Sequence, residues 1–311
     1  MSSDVLVCGS VAFDTIAVFE GHFKEHILPD KIHALSVSFL VPSMRKEFGG
    51  CAGNIAYNLN LLGGRGIPVA TVGEDAGDYL ARFERLGIDT RRIRVIPETF
   101  TAQCFITSDL DDNQISAFHP GAMERSADNG VTGETAAWAI VAPDSKAGML
   151  ARADELAAQG TPFLFDLGQA MPLFNGEELL SVFGKARALA LNDYEASVVQ
   201  QRTGRTPQQL ASSLEAVVVT RGAQGATLYL AGQSIEIAPV PAVSVVDPTG
   251  CGDAHRAGLL FGLTKGWSWE KACMLGNVMG SIKIASRGPQ NHSPSLSEIS
   301  NLMQKTYGIS L

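Results

Sequence analysis

The sequence predicts an α/β protein: a doubly wound, mostly parallel sheet flanked by helices, with a small β-sheet lid. Two observations predict this fold. Short apolar strands alternate with amphipathic stretches along most of the chain, which is the order of a parallel sheet with crossover helices. Two other stretches break the alternation and contain only strand-like segments, which indicates a second, smaller sheet.

The strands of the main sheet are predicted from near-continuous apolar runs, because a parallel strand is covered on both faces. The first run is DVLVCG at residues 4–9, and the others are residues 67–73, 137–142, 163–166, 188–192 and 217–220. A further strand-like run, VSVV at residues 243–246, precedes a glycine-rich turn.

The helices between these strands are predicted from apolar residues at helical spacing. Leu80, Phe83 and Leu86 fall on one face of a helix over residues 76–86. Residues 146–159 and 194–202 are predicted as further helices, and residues 254–263 as a helix after the glycine-rich turn.

The lid is predicted at residues 14–48 and 99–123, and the large α/β domain at residues 1–13, 49–98 and 124–311. The first lid stretch contains TIAVFE and HALSVSFL, and the second contains TAQCFITSD and QISAFHP. Asp-Asp-Asn at residues 111–113 separates the last two runs, which predicts a hairpin.

Composition excludes several classes of function. The chain has 24 Lys and Arg against 32 Asp and Glu, a net charge of −8, which argues against nucleic-acid binding. No basic, then apolar N-terminal segment and no run of 18 apolar residues is present, so we expect neither a signal peptide nor a membrane span. Five dispersed cysteines predict reduced thiols in a cytoplasmic protein. The histidines suggest no zinc site, and His22, His26, His33 and His292 are expected at the surface.

The motif DPTGCGDAHRAG at residues 247–258 predicts an anion hole. Small residues at a strand-to-helix turn let the N–H groups of Gly250, Cys251, Gly252 and Asp253 converge at the positive end of a helix dipole. A carboxylate would repel a phosphate there, so Asp253 is interpreted as a general base that takes a hydroxyl proton. The alternative is that Asp253 only caps the helix.

A second glycine motif, FGGCAGNIAYNLNLLGG, occupies residues 48–64. Gly50 precedes a helix-like run, and Asn54 lies in its first turn, where the amide can both donate and accept hydrogen bonds to vicinal hydroxyls. The alternative is a tightly packed helix start with Asn54 as a capping residue.

These two motifs resemble the two signatures of the ribokinase-like, or PfkB, family of small-molecule kinases. Three further motifs follow the family's order: GSVAFD with Asp14, LNDYEA with Asn192 and Glu195, and TRGAQGATLY with Thr220, Gly222 and Gly225. The resemblance covers essentially the whole chain.

The resemblance implies how the substrates bind. It implies that Asp14, Gly50 and Asn54 hold the acceptor, and that ATP lies along the following residues: Asn192, Thr220, Gly222, Gly225 and Asn277. It also implies Mg²⁺, with Glu195 acting mainly through water. Asp247 and Thr249, with carbonyl groups of residues 284–289, are the residues with which family members often bind a monovalent cation such as K⁺.

Within the family, the chain is most similar to bacterial-type adenosine kinases, on the segments DNQISAFHPGAM and DPTGCGDAHRAG. That similarity implies that Phe105 and Phe118, one on each lid strand, sandwich a purine. Gln169, in DLGQ, is expected to meet the edge of the adenine. The alternative is that both phenylalanines belong to the lid core or to a dimer interface.

The predicted function is ATP-dependent phosphorylation of a nucleoside 5′-hydroxyl, with adenosine converted to AMP. A sugar kinase of ribokinase or fructokinase type and a non-catalytic ligand-binding protein are the alternatives. A dinucleotide-dependent dehydrogenase is excluded because no GxGxxG follows the first strand. The expected partners are small-molecule substrates, without nucleic acid or membrane, and the sequence leaves monomer and homodimer open.

Overall fold

A computed structural model describes residues 3–27, 36–111 and 113–311. Numbered along the chain, its strands are β1 (Asp4–Cys8), β2 (Ala12–Val18), β3 (Ser43–Gly49), β4 (Arg65–Val72), β5 (Ile93–Val95), β6 (Ala102–Ser108), β7 (Gln114–His119), β8 (Trp138–Val141), β9 (Phe163–Asp166), β10 (Ala188–Asn192), β11 (Ala216–Thr220), β12 (Ala226–Leu230) and β13 (Gln233–Ile237). Its helices are α1 (Phe23–His26), α2 (Cys51–Leu61), α3 (Gly77–Leu86), α4 (Lys146–Gln159), α5 (Gly176–Phe183), α6 (Asp193–Thr203), α7 (Pro207–Leu210), α8 (Cys251–Thr264), α9 (Trp269–Ile284) and α10 (Leu296–Tyr307).

The large domain is built on a nine-stranded sheet in the order β13-β12-β11-β10-β9-β8-β1-β4-β5. Its strands pair in parallel from β5 to β11, whereas β12 and β13 add an antiparallel edge. The predicted mostly parallel sheet is therefore confirmed. The antiparallel edge was not predicted, although Gly232, with φ of 78°, is a turn signal between its two strands.

The apolar strand runs are explained by burial on both faces of this sheet. Val5 and Val7 of β1 belong to one apolar cluster, and Leu6 and Cys8 belong to the cluster on the opposite face. Successive side chains of a strand point to opposite faces, so a strand covered on both sides must be apolar throughout.

Helix α8 packs very closely against α9. A Cβ atom on Gly258 would lie 2.8 Å from the backbone nitrogen of Gly276, so no side chain fits at this crossing. The close contact fixes the spacing between α8 and α9 at this crossing.

The lid is a four-stranded sheet in the order β3-β2-β6-β7. Strand β2 pairs antiparallel with β3 and parallel with β6, and β6 and β7 form the predicted hairpin. The small β-sheet lid is thus confirmed, while the exact domain boundaries stay a prediction. Residues 36–40 of the strand-like HALSVSFL are not a strand, and its residues 33–35, like Asp112 of the predicted turn, lie outside the described residues.

Aromatic packing and side-chain hydrogen bonds join the lid to the large domain. Phe13 and Phe48 of the lid pack against Tyr79 of α3, with ring centroids 5.5 Å and 5.0 Å from it. The Asp75 carboxylate accepts hydrogen bonds from the Thr101 backbone at 2.7 Å and from the Gln103 side chain at 2.9 Å. These contacts hold the base of the lid beside α3.

Two local predictions are wrong. Residues 243–246 are not a strand, and no strand of the described residues pairs with them; Val243 is 94% exposed. His292 is not at the surface but is 3% exposed, and its ring nitrogen Nε2 lies 2.7 Å from Asn58 Oδ1. No helix in the described part of the chain is long and apolar enough to cross a membrane.

Candidate active site

A cavity of about 820 Å³ opens where β9, β10 and β11 end and α8 begins. Ligands of open parallel sheets bind at this carboxyl-terminal edge. The cavity brings together many of the predicted site residues: Gln169, Asn192, Glu195, Thr220, Gly222, Gly225, Gly250, Cys251, Gly252, Asp253 and Asn277.

The N-terminus of α8 carries unpaired backbone donors. The N–H groups of Gly250, Gly252 and Asp253 donate to no residue within the described ranges. The N–H of Cys251 donates to the Pro248 carbonyl at 3.1 Å. The start of α8 therefore offers free donors at Gly250, Gly252 and Asp253 but not at Cys251, whose N–H is used within the turn, and binding of an anion there stays a prediction.

Two glycines make this helix start accessible. Gly250 has φ of 81°, in the left-handed region, and a Cβ there would lie 2.8 Å from the side chain of Pro289. A Cβ on Gly252 would meet nothing within 4 Å, so the space in front of the free N–H groups is open.

The N-terminus of α2 is closed, in contrast to that of α8. Ser10 accepts the Cys51 N–H on its hydroxyl at 3.1 Å and the Ala52 N–H on its carbonyl at 2.9 Å. Gly50 has φ of 83°, and a Cβ there would lie 2.6 Å from the Ser10 carbonyl oxygen. The tight turn explains why residue 50 is a glycine. Because Ser10 uses the first N–H groups of α2, the free backbone donors for an anion lie at the start of α8. The sequence interpretation missed Ser10.

Asp253 lies half-buried in the first turn of α8. Its pKa is raised to about 7, mainly by burial and further by the charge of Asp166, while a hydrogen bond from Asn54 lowers it. The Asn54 amide donates to Asp253 Oδ2 at 2.8 Å. A carboxyl group with a pKa near neutrality is suited to proton transfer at physiological pH.

The Asn54 side chain is fixed on both sides. Its amide nitrogen donates to Asp253, and its oxygen accepts from Gln290 Nε2 at 3.0 Å. Gln290 also donates to the hydroxyl of Tyr79 at 2.7 Å. Asn54 thus orients the Asp253 carboxylate, and its predicted contact with an acceptor diol stays a prediction. Neither Gln290 nor Tyr79 was identified from the sequence.

Asp14 lies on the lid strand β2 and is not among the residues that line the cavity. No described residue donates a hydrogen bond to its carboxylate. Burial raises the pKa of Asp14 to about 6, and the charges of Glu47 and Asp247 raise it further. A half-buried carboxylate with no donor among the described residues favours binding of ligand hydroxyl groups.

The strand register corrects the predicted aromatic sandwich. Phe105 pairs with Ala117, whereas Phe118 pairs with Cys104, which in turn pairs with Asp14. Paired side chains share a face and neighbours in a strand alternate, so Phe105 and Phe118 lie on opposite faces. Phe118 shares the Asp14 face and is 55% exposed. Phe105 cannot stack on the same ligand from that face.

Gln169 lies near the reacting end of the cavity. Its side-chain oxygen is 3.9 Å from the Cys51 sulfur, and the Cys51 thiol neighbours the Asp253 carboxylate. The predicted contact of Gln169 with an adenine edge stays a prediction.

A buried ion pair underlies the cavity. Arg256 binds Asp166 through two hydrogen bonds of 3.1 Å and 3.3 Å, and both residues are buried. The Arg256 charge also acts on Glu195 and Asp253, and its Nη1 has no hydrogen-bond partner among the described residues. The guanidinium offsets part of the negative charge of the three carboxylates.

Asn192 and Glu195 first of all cap α6. Asn192 accepts the Glu195 N–H at 2.7 Å, and Glu195 accepts the Asn192 N–H at 2.8 Å, a reciprocal capping box. Burial raises the pKa of Glu195. Its oxygens are hard ligands at the cavity edge and each keeps a lone pair, so the residue fits Mg²⁺ held through water.

Several of the residues predicted to bind ATP lie in or beside backbone turns. Gly222, with φ of 53°, would place a Cβ in open space, whereas a Cβ on Gly225 would lie 2.2 Å from the Ile237 carbonyl oxygen. Thr220 donates to the Leu191 carbonyl at 3.3 Å. Asn277 donates to the Ala238 carbonyl at 3.0 Å, so it also secures the segment after β13.

The donor set expected for a monovalent cation does not fit one. The Asp247 carboxylate already accepts the N–H groups of Thr249 at 2.9 Å and Gly288 at 2.8 Å. The ammonium group of Lys283 donates to the carbonyls of Asp247 at 2.7 Å and Ser286 at 3.0 Å. A protein cation therefore occupies the carbonyl site, which corrects the expectation for K⁺.

Known proteins are similar to this chain over almost its whole length. The model of the pfkB family carbohydrate kinases matches residues 2–296. A nucleoside kinase of Methanocaldococcus jannaschii is 28% identical over 279 residues, 89% of this chain and 92% of that protein. The structure of a Burkholderia thailandensis nucleoside kinase in complex with inosine is 46% identical, with a TM-score of 0.89 over 98% of this chain and 99% of that one. The Methanocaldococcus jannaschii structure, described as an archaeal member of the ribokinase family, has a TM-score of 0.89 at 26% identity, over 97% and 98% of the two chains.

Proposed function

The chain belongs to the pfkB family of carbohydrate kinases, and on that premise we propose that it transfers the γ-phosphoryl group of ATP to the 5′-hydroxyl of a nucleoside, with adenosine as acceptor and AMP as product. The nucleoside class is supported by the similar proteins, which are nucleoside kinases, one of them solved with inosine.

The observation that carries the proposal is the position of Asp253. Its carboxylate stands at a helix N-terminus whose free N–H groups face open space, and Asn54 orients it at 2.8 Å. Asp253 would accept the proton of the attacking hydroxyl, while the N–H groups of Gly250 and Gly252 would bind the charge that develops on the phosphoryl oxygens. Burial raises the pKa of this carboxyl group to about 7, which suits a base at neutral pH.

The lid supplies the features expected of an acceptor site. The carboxylate of Asp14 has no hydrogen-bond donor in the described part of the chain and would accept hydrogen bonds from the ribose hydroxyls. Phe118, on the same face, would stack on the base. A nucleoside held at both ends directs its 5′-oxygen to Asp253, and such positioning contributes on the order of 7–11 kcal/mol to lowering a barrier.

Charge balance in the cavity points to a cationic cofactor. Asp166, Glu195 and Asp253 carry three carboxylates around one guanidinium, that of Arg256. Mg²⁺ held through water at Glu195 would neutralise charge on the phosphate oxygens of ATP. Arg256, whose Nη1 has no partner in the described part of the chain, adds positive charge from the protein itself.

A sugar kinase is the alternative, and one observation favours it. The register leaves one aromatic ring, rather than two, on the Asp14 face of the lid hairpin. A free pentose needs Asp14 and Asp253 but no stacking surface.

The proposal is tested by ADP release with MgATP and adenosine, inosine, cytidine, ribose or fructose. We expect kcat/KM for adenosine to exceed that for ribose by roughly 5- to 100-fold, because ribose lacks the stacking energy of ~1–3 kcal/mol. Higher kcat/KM for ribose or fructose would establish the sugar kinase instead. Higher kcat/KM for inosine would keep the nucleoside class and reject adenosine as the preferred acceptor.

A further inference from the structure

Lys283 is a fully buried cation near the C-terminal end of α9. Its exposed fraction is 0%, and its ammonium group donates to the carbonyl oxygens of Asp247 and Ser286 at 2.7 Å and 3.0 Å. A buried ammonium is costly unless its hydrogen bonds are satisfied. Convergent carbonyl oxygens are typical ligands of a bound alkali cation. Here the two oxygens accept hydrogen bonds from the Lys283 ammonium group instead.

The two carbonyls belong to segments that meet beneath the N-terminus of α8. Asp247 begins the turn that carries Gly250, and Ser286 begins the turn that follows α9. The same segments are joined by the Asp247 carboxylate, which accepts the Gly288 N–H at 2.8 Å. The two segments also lie close together at Gly250, where a Cβ atom would be 2.8 Å from the side chain of Pro289. Lys283 thus links the anion-hole turn to the segment that supports it.

We infer that Lys283 is a built-in cation that replaces a bound monovalent ion and positions the α8 N-terminus for phosphoryl transfer, so that the enzyme works without K⁺. The role of Lys283 in phosphoryl transfer rests on the proposed function, whereas its replacement of a bound ion does not. Lys283 is a positioning residue, because it acts through the turn and not on a substrate.

The wild-type protein provides the first test. The melting temperature and kcat are measured in KCl, NaCl and choline chloride at equal ionic strength. We expect kcat to agree within about two-fold among the three salts, since a tethered ammonium already fills the carbonyl site. A specific rise of the melting temperature and of kcat in KCl would overturn the inference.

Variants at Lys283 provide the second test. Lys283→Met keeps the volume and removes the charge, and we expect kcat to fall on the order of 10²-fold through misplacement of the turn, with the KM values for ATP and nucleoside changing much less. Lys283→Ala opens space at the carbonyls, so K⁺ or NH₄⁺, but not choline, should raise its melting temperature by roughly 2–4 °C and restore part of kcat. Rubidium at this position in crystals of Lys283→Ala would support the same conclusion.

Lys271→Met on the same helix is the matched control. Its ammonium lies 3.7 Å from the centre of the Trp267 ring, away from the anion-hole turn. We expect unchanged kcat and no response to K⁺. Parent-like kcat in Lys283→Met, or no cation effect on the melting temperature of Lys283→Ala, would overturn the inference. The melting experiments need no turnover, so they remain decisive if the proposed acceptor is wrong.

Discussion

Replacing Asp253 by Asn should have two opposite effects, a large loss of turnover and a gain of stability. Asn keeps the shape and can still accept the hydrogen bond that Asn54 donates at 2.8 Å. It cannot take the proton of the attacking hydroxyl. Loss of a general base typically costs 10²–10⁴-fold in rate, and we expect at least about 10³-fold in kcat with both KM values little changed.

The stability effect follows from the raised pKa of Asp253. The pKa rises from 3.8 to about 7 on folding, so the folded state holds the proton more tightly than the unfolded chain. Stability from this group is therefore lost as the pH rises from 3.8 to about 7, and the loss is complete above pH 7. The pKa values set an upper limit of about 4 kcal/mol for this loss.

Water in the cavity screens the half-buried carboxylate, so we expect Asp253→Asn to recover about 1–2 kcal/mol at pH 8.5, or roughly 2–6 °C in melting temperature. The gain should be smaller at pH 5.5, where more of the parent is protonated. Asp78→Asn, at an exposed position of α3, is the control for removing a surface carboxylate and should leave kcat unchanged.

Melting curves between pH 5.5 and 8.5 and ADP-release kinetics measure both effects on the same preparation. Turnover of Asp253→Asn within a few-fold of the parent would refute the role as general base. A melting-temperature difference that does not grow with pH would refute the raised pKa as its cause.

Three further outcomes are expected. Asp14→Asn should raise the nucleoside KM roughly 10- to 100-fold and leave the ATP KM unchanged, because it loses a charge-assisted hydrogen bond of ~1.5–3 kcal/mol. If removing the 2′- or 3′-hydroxyl of the acceptor raised KM equally in the parent and in Asp14→Asn, Asp14 would not contact these hydroxyls. Phe118→Ala should raise the adenosine KM roughly 5- to 100-fold, whereas Phe105→Ala should not, and the reverse order would show that the register argument fails. In the parent, kcat/KM should fall as the pH drops below about 7, because protonated Asp253 cannot act as a base; a flat profile from pH 5.5 to 8 would contradict this.

The sequence predicted the features that depend on pattern. Residues buried on both faces of a sheet must be apolar, so β1 and β8 to β11 could be located within one or two residues. Gly250 has a backbone conformation that no other residue adopts equally well, so the start of α8 could also be predicted.

The rest depends on contacts between distant segments. The face on which Phe105 and Phe118 lie follows from the pairing of β6 with β2 and β7, which residue types do not encode. The polar contact of His292 with Asn58 bridges residues far apart in sequence. In the sequence, Lys283 resembles an ordinary surface lysine near a helix end. Its hydrogen bond to the Asp247 carbonyl forms only because the fold brings these two segments together. A strand could be wrongly predicted at residues 243–246 because β-branched residues also occur in exposed segments.

The central claim, transfer of a phosphoryl group to a nucleoside 5′-hydroxyl by Asp253, is tested most directly by identifying the product. The protein is incubated with MgATP and adenosine, and the nucleotide formed is separated from its 2′ and 3′ isomers by chromatography and mass spectrometry. We expect 5′-AMP with stoichiometric ADP, no product from 5′-deoxyadenosine, and product formation at least about 10³-fold slower with Asp253→Asn. Phosphorylation of 5′-deoxyadenosine at the rate of adenosine would contradict it.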